Sequence, residues 1–438
     1  MAAAIPGSRF PRDDFPLPLK RPPASAPGHN KKEDCVMNHL TGTRFSRKVS
    51  GLERYFLAIN EVYRFNAELV VEGDGDVALE QLRNAVAVAS AANPGMRVRL
   101  KGVMGFSRWV DSGITPEVRE ISAAEWEGYS SHGAEFMEER FTPLQGGQVA
   151  HVLLVRGDAA RGKPARMVFR ALHAAVDGKG LAHWTLDILR AMRGEAPEGS
   201  HNTMTDIDFA RSIAREKGLT PRPAEATPVK GILPVSKDSG APFRFEWRCT
   251  KFDRNISNPM PKILHFLQGQ ADGDIIMTVP VDYRSLRGAE AGTGNLTGYI
   301  HIPINGEDSP KSIMGKLSEG IKNHRDCTIG VLPFWRLHWI PLWLVSRFVR
   351  KNLDHILYSE SSSMPNGGIS ALGMTPSEAI SFPGFEGLGA YGLATVGRLY
   401  VSVTNFPKAT YIMLAAPARF NGDQQLDKLA ERLREQFA

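Results

Sequence analysis

Cysteine is scarce in this chain: Cys35, Cys249 and Cys327 are the only three in 438 residues, and they lie far apart. Such spacing excludes a disulfide framework and a cysteine-based metal site, and it fits a reducing compartment. Long apolar runs are also missing. No stretch approaches the roughly 18 uninterrupted apolar residues of a membrane span. The N-terminus, MAAAIPGSRFPRDDFPLPLK, is broken by proline and charge where a secretory signal would carry an apolar segment. A cytoplasmic location is the expectation. Clustered basic motifs are absent too, because the formal net charge of +6 is spread among 23% charged residues of both signs. Nucleic acid is therefore not an expected partner, and the diffuse excess suits phosphorylated cofactors, acidic carrier proteins or membrane surfaces.

What the chain does have is enough apolar content, 42% of its residues, to bury a large core in two or three structural units. Residues 1–44 are proline-rich and read as a mobile arm. An N-terminal unit spans 45–217. It contains a strand at 65–71, a helix at 77–90 with Asp76 placed to cap it, and apolar strands at 149–155 and 166–172. Another helix fits 207–217. Proline then recurs through 218–242, a crossover linker. The C-terminal unit, 243–438, has strands at 243–249, 274–281, 299–304, 394–403 and 411–416, with helices at 262–270, 312–323 and 424–437. Strand and helix signals alternate in both halves without a sequence repeat, which indicates an α/β protein of two similar units.

The stretch MVFRALHAAVDGKGLAHWTLDILR, 167–190, organises the rest. A short apolar strand ends at His173, the pair Asp177-Gly178 marks a turn, and Leu181, Trp184, Ile188 and Leu189 follow at helical spacing. A histidine at the end of a buried strand is placed to act as a general base at a cleft, or to serve as a buried structural group. The pattern His-x-x-x-Asp alone does not decide, since His183 and Asp187 repeat it within the helix, where i and i+4 residues commonly pair.

LHAAVDG at 172–178 resembles the His-x-x-x-Asp-Gly signature of the thioester-dependent acyltransferase superfamily. That group includes chloramphenicol acetyltransferase, peptide-synthetase condensation domains, wax ester synthases and alcohol acyltransferases. The similarity covers most of 45–438 and includes 76–100, FTPLQGGQVAHVLLV at 141–155, VPVDYRSLR with GTGN within 279–295, and ISALG at 369–373. It implies two chloramphenicol-acetyltransferase-like subdomains forming a pseudo-dimer around a channel, with His173, Asp177 and Gly178 at the catalytic centre. His173 would deprotonate a hydroxyl or amine as it attacks an acyl thioester, and the Gly178 backbone would approach the reacting centre. Asp177 would be structural, paired with Arg284 across the two halves. Asn295, Ser370 and Gly373 are implied channel residues. No metal and no permanently bound cofactor are implied. The co-substrate would be acyl-CoA or the phosphopantetheine thioester of an acyl carrier protein, and the acceptor a small-molecule or lipid alcohol.

Three departures refine that picture. Leu172 occupies the place where peptide-forming condensation domains usually carry a further histidine, Ala371 replaces an asparagine, and no Asp-Phe-Gly-Trp-Gly segment of the plant branch is present. The expectation is a stand-alone acyltransferase making an ester. Its rivals are a non-catalytic, condensation-like protein that recruits a carrier protein or partner, and a lipid-binding protein. The last would use FWRLHWIPLWLVSRFVRKNL, 334–353, for peripheral membrane contact. An ordinary buried helix with a basic end is the preferred expectation for that stretch, interrupted by Pro341.

Overall fold

The computed structural model describes residues 44–438 apart from 124, 159–160, 221–230, 237–242, 360–361 and 363. The proline-rich arm, save its last residue, and most of the 218–242 crossover lie outside the described residues.

The first half opens with β1 (Ser46–Lys48) and α1 (Gly51–Asn60). A capping box starts α1: Ser50 Oγ accepts from the Glu53 amide at 3.1 Å, and Glu53 Oε2 accepts from the Ser50 amide at 2.9 Å. Then come β2 (Asn66–Gly75), α2 (Leu79–Ala92), β3 (Val98–Lys101), β4 (Arg108–Asp111) and β5 (Glu117–Ile121). β6 (Ala150–Val155) and β7 (Ala165–Leu172) are buried along their whole length, which explains why both read as apolar runs. They pair antiparallel with Val152 opposite Phe169. The half closes with α3 (Gly178–Met192) and α4 (Asp206–Glu216).

The second half runs through β8 (Phe245–Phe252), α5 (Pro259–Gln268), β9 (Ile275–Asp282), the short α6 (Tyr283–Arg287) and β10 (Thr297–Ile304). α7 (Pro310–Lys322), α8 (Leu342–Tyr358), β11 (Gly367–Met374), β12 (Phe385–Ala394), β13 (Tyr400–Asn405), β14 (Thr410–Pro417) and α9 (Gln425–Phe437) complete it.

These strands form three sheets: β1-β4-β3, β12-β2-β7-β6-β5 and β10-β9-β11-β13-β14-β8. Pairing is antiparallel except for β5 with β6 and β11 with both of its neighbours. One core lies between the five-stranded sheet and α2 and α3. The other joins the six-stranded sheet to α5, α7 and α9. Strand alternation points β9 both ways: Ile275, Met277, Val279 and Val281 enter the second core, while Thr278, Pro280 and Asp282 face a cavity.

Several expectations need correction. Asp76 does not cap α2: that position belongs to Ala78, without a side-chain bond, and Asp76 instead accepts from Arg156 at 2.8 Å. The single strand expected over 394–403 is two strands in different sheets. β12 crosses from the second half to pair with β2, and the chain turns through Gly397 (φ +70°) before β13 pairs with β11 and β14. Residues 334–353 are not one buried helix. Pro333–Trp339 is a 3-10 turn, α8 starts only after Pro341, and much of its outer face is exposed.

Candidate active site

β7 and β2 set the position of His173. β7 ends at Leu172, and the His173 amide is still held to the sheet by donating to Phe65 O at 3.0 Å. Its ring stacks on Phe65, with centroids 5.2 Å apart, and packs at a tilt against Phe56 at 5.6 Å. The imidazole lines a cavity of about 570 Å³ and is half-buried. Burial holds its pKa below the usual histidine range. Its own backbone, Asp177, Asn295 and the Val176 backbone act in the opposite sense without overcoming burial. The ring is consequently neutral at physiological pH. Its Nδ1 is buried and has no hydrogen-bond partner.

Asp177 caps α3 and is fully engaged. Oδ1 accepts from the Gly180 amide at 2.7 Å and from Arg284 Nη2 at 3.1 Å. Oδ2 accepts from Arg284 Nη1 at 3.2 Å, the Leu296 amide at 2.8 Å and Thr297 Oγ1 at 2.8 Å. Burial alone would raise this carboxyl, but Arg284 and the Leu296 and Gly180 amides outweigh it and hold the pKa below the ordinary aspartate value. Five donors on one carboxylate leave it no capacity to take a proton from substrate. Arg284 lies on α6 just after β9, not on the strand itself. It also donates to Asp282 Oδ1 at 2.7 Å, Gly292 O at 2.9 Å and Gly294 O at 2.6 Å. The pair thus ties the loop after β7 to the turn before β10.

The two glycines of this turn have different surroundings. Gly178, the first residue of α3, borders the cavity, and a Cβ built on it meets nothing within 4 Å, so a side chain there would occupy cavity space. Gly180 packs against backbone: a Cβ there would sit 2.3 Å from Thr293 O, so only glycine fits.

Of the three residues taken as channel candidates, only Ser370 lines the cavity, beside Tyr400, whose phenol burial pushes up to about 12 against the Ser370 hydroxyl. Asn295 sits behind the histidine, donating to His173 O at 3.1 Å and Glu53 Oε1 at 3.2 Å. Gly373 occupies an irregularity of β11 at φ +92°, off the cavity wall. His183 pairs with Asp187 at 3.8 Å within α3, so the second His-x-x-x-Asp is an intrahelical contact.

Sequence reasoning missed the buried layer behind Asn295. Glu53 accepts from Arg47 Nη1 at 2.7 Å and from Trp109 Nε1 at 3.3 Å, while Arg47 Nη2 donates to Ala175 O at 2.7 Å in the loop after His173. Burial, then the Glu53 charge, push the neighbouring Asp206 carboxyl well above the usual range, against Ser50, the Ile207 amide and Arg47. The available signal was Ser50-x-x-Glu53, the capping-box pattern. Lys179 was missed as well. Its Nζ donates to Leu372 O at 2.7 Å, joining α3 to β11 beside the cavity. No group of three or more His, Cys, Asp or Glu side chains among the described residues is placed to hold a metal ion.

No family model matches the chain, and no curated protein matches it. Solved structures do. The first condensation domain of the calcium-dependent antibiotic synthetase is similar at 14% identity, over 90% of this chain and 95% of that one, with a TM-score of 0.57. The condensation domain of monacolin K polyketide synthase is similar at 9% identity, over 89% and 95%, with a TM-score of 0.55. The starter condensation domain of rhizomide synthetase is similar at 11% identity, over 89% and 95%, with a TM-score of 0.51. At these identities what is shared is the fold: a mixed α/β, two-subdomain, chloramphenicol-acetyltransferase-like architecture in its condensation-domain form.

Proposed function

We propose that the chain is an acyltransferase that moves an acyl group from a thioester, carried by coenzyme A or by the phosphopantetheine of a carrier protein, to a hydroxyl acceptor. The observation that carries this is the His173 imidazole, packed against Phe56 and Phe65 and lining a cavity of about 570 Å³, where burial lowers its pKa. Such a base accepts the acceptor's proton as its oxygen attacks the thioester carbonyl. The proton then passes to the departing thiolate, so no covalent acyl-enzyme is needed. Backbone N–H groups at the start of α3, beside Gly178, border the same cavity and suit a developing oxyanion. Asp177 and Arg284 keep the loop that carries His173 in place, and Asn295 fixes the His173 carbonyl.

Leu172, in place of a further histidine, supports ester over amide formation. The lining supports an apolar substrate segment, since Leu52, Ile59, Leu353, Ile356 and Leu393 all border the cavity. The test is mass spectrometry of product after incubation with acyl-CoA or acyl-pantetheine and pooled alcohols and amines. Ester formation with no acyl mass added to the protein is expected. Absence of product from either donor, or a stable acyl-protein adduct, would refute the proposal.

A further inference from the structure

α8 is apolar on two sides, although a helix of a compact protein ordinarily needs only one. Its inner face packs inward through Val345, and through Val349, Leu353, Ile356 and Leu357 it borders the same cavity as His173. Its outer face carries Trp343, Leu344 and Phe348, which are 66%, 41% and 63% exposed. The apolar surface continues beyond the helix. Trp339 and Ile340 precede α8, and Phe106 meets the Trp339 ring edge-on with centroids 6.3 Å apart. Phe106 is 74% exposed and Trp339 59%. At roughly 150–250 Å² per aromatic side chain, these four rings alone leave on the order of 500 Å² of apolar surface in water, at the upper range of single patches on soluble monomers.

The patch is held in shape. Arg54, itself buried, donates to Leu337 O at 2.8 Å, Ile340 O at 2.7 Å, Met104 O at 3.1 Å and Ser107 Oγ at 3.1 Å. One guanidinium thereby fixes both loops that present the exposed rings. Charge within the two segments that carry the patch has a single sign, and the first carboxylate beyond them on α8, Asp354, pairs with Arg419 at 3.3 Å. Lys101–Arg108 and Pro333–Leu353 contain no aspartate or glutamate, whereas Lys101, Arg108, Arg336, Arg347, Arg350 and Lys351 all fall within them. Neither Arg347 nor Lys351 makes an ion pair among the described residues.

We propose that Phe106, Trp339, Trp343, Leu344 and Phe348, with Arg347 and Lys351, form a docking surface for an anionic lipid bilayer. Tryptophan and phenylalanine rings enter the interfacial layer while the cations meet lipid phosphates. The prominence of protruding aromatic rings favours a bilayer over an acidic protein helix, which would need carboxylate partners more than apolar depth. No helix among the described residues is long and apolar enough to cross a membrane. The docking surface does not depend on acyl transfer. Its consequence, that a lipidic substrate passes from the bilayer behind α8 to His173, rests on the activity proposed above.

The experiment is co-sedimentation of the full chain with phosphatidylcholine vesicles, with and without phosphatidylglycerol, without substrate, alongside tryptophan emission. Binding to the anionic vesicles with a blue shift is expected. Trp343→Ser with Phe348→Ser, and separately Arg347→Glu with Lys351→Glu, should each weaken binding at least about tenfold, since each surface cation contributes severalfold. All four side chains are exposed, and unchanged thermal unfolding confirms intact variants. Three results overturn the proposal: no sedimentation of the wild type, equal sedimentation of the variants, or retention on an immobilised acidic carrier protein without vesicle binding. Product formation from water-soluble substrates is measured separately, so loss of one activity does not obscure the other.

Discussion

Replacing Asp177 with asparagine keeps the shape of the side chain and removes its charge. The carboxylate accepts five hydrogen bonds, and each oxygen faces both Arg284 and a backbone amide: Gly180 on one side, Leu296 on the other. Whichever way the new amide turns, its NH₂ confronts a backbone N–H and a guanidinium N–H, so one peptide donor is buried without a partner. Breaking a buried ion pair by removing one charge costs about 3–5 kcal/mol, against a total stability of about 5–15 kcal/mol for a folded domain. Asp177→Asn should therefore lower the unfolding free energy by about 3–5 kcal/mol, measured by urea titration at pH 7. The pH dependence carries a sign. Because the folded-state pKa of Asp177 lies below its free value, its contribution is fully present above about pH 4 and is lost as pH falls through the folded pKa. The gap between wild type and variant should stay constant from pH 7 to about pH 4 and narrow only below that. A loss under 1 kcal/mol, or a gap already closing at pH 6, would show that the pair does not hold the two halves together.

Asp206 should behave in the opposite sense. Its folded-state pKa is raised, so the folded protein holds a proton that the unfolded chain releases, and stability falls as pH rises above about 4. Asp206→Asn, which keeps an acceptor for the Ile207 amide, should unfold at higher temperature than wild type at pH 9, with the difference shrinking toward pH 4. An unchanged difference across that range would remove Asp206 as a strained group. Gly180→Ala places a methyl 2.3 Å from Thr293 O and should cost at least about 1–3 kcal/mol, whereas Gly178→Ala meets nothing and should unfold like wild type. Equal Tm losses would contradict that assignment. If acyl transfer uses neutral His173, the rate should rise with pH along a limb whose midpoint lies below 6.5, and a midpoint above 7 would contradict the burial argument.

Local signals made the central stretch legible. β7 is buried along its length, so it read as an apolar run; Asp177-Gly178 marked the turn; and α3 showed its 3.6-residue period at once. The tie from Asp177 to Arg284 came from family resemblance, because no local rule joins residues over 100 positions apart. β12 was invisible for a related reason. FEGLGAYGLA has three glycines and little strand character of its own, and its place beside β2 is decided by a partner more than 300 residues away. The layer of Arg47, Glu53, Asp206 and Asn295 is likewise assembled from distant positions: resemblance pointed to Asn295, as a channel residue, and the Ser50–Glu53 capping-box pattern was an unread local signal for Glu53. For α8, periodicity revealed an apolar helix but not which of two apolar faces the fold would cover. Burial of one face is a tertiary outcome.

His173 is the proposed base, and thiol release tests that role most directly. Wild type and His173→Ala, each verified as folded, would be supplied with a thioester donor and a saturating alcohol, and acceptor-dependent free thiol would be followed with time. Loss of a general base is expected to slow release about 10²–10⁴-fold. Release from the alanine variant within a few-fold of wild type would contradict the assignment of His173 as the base.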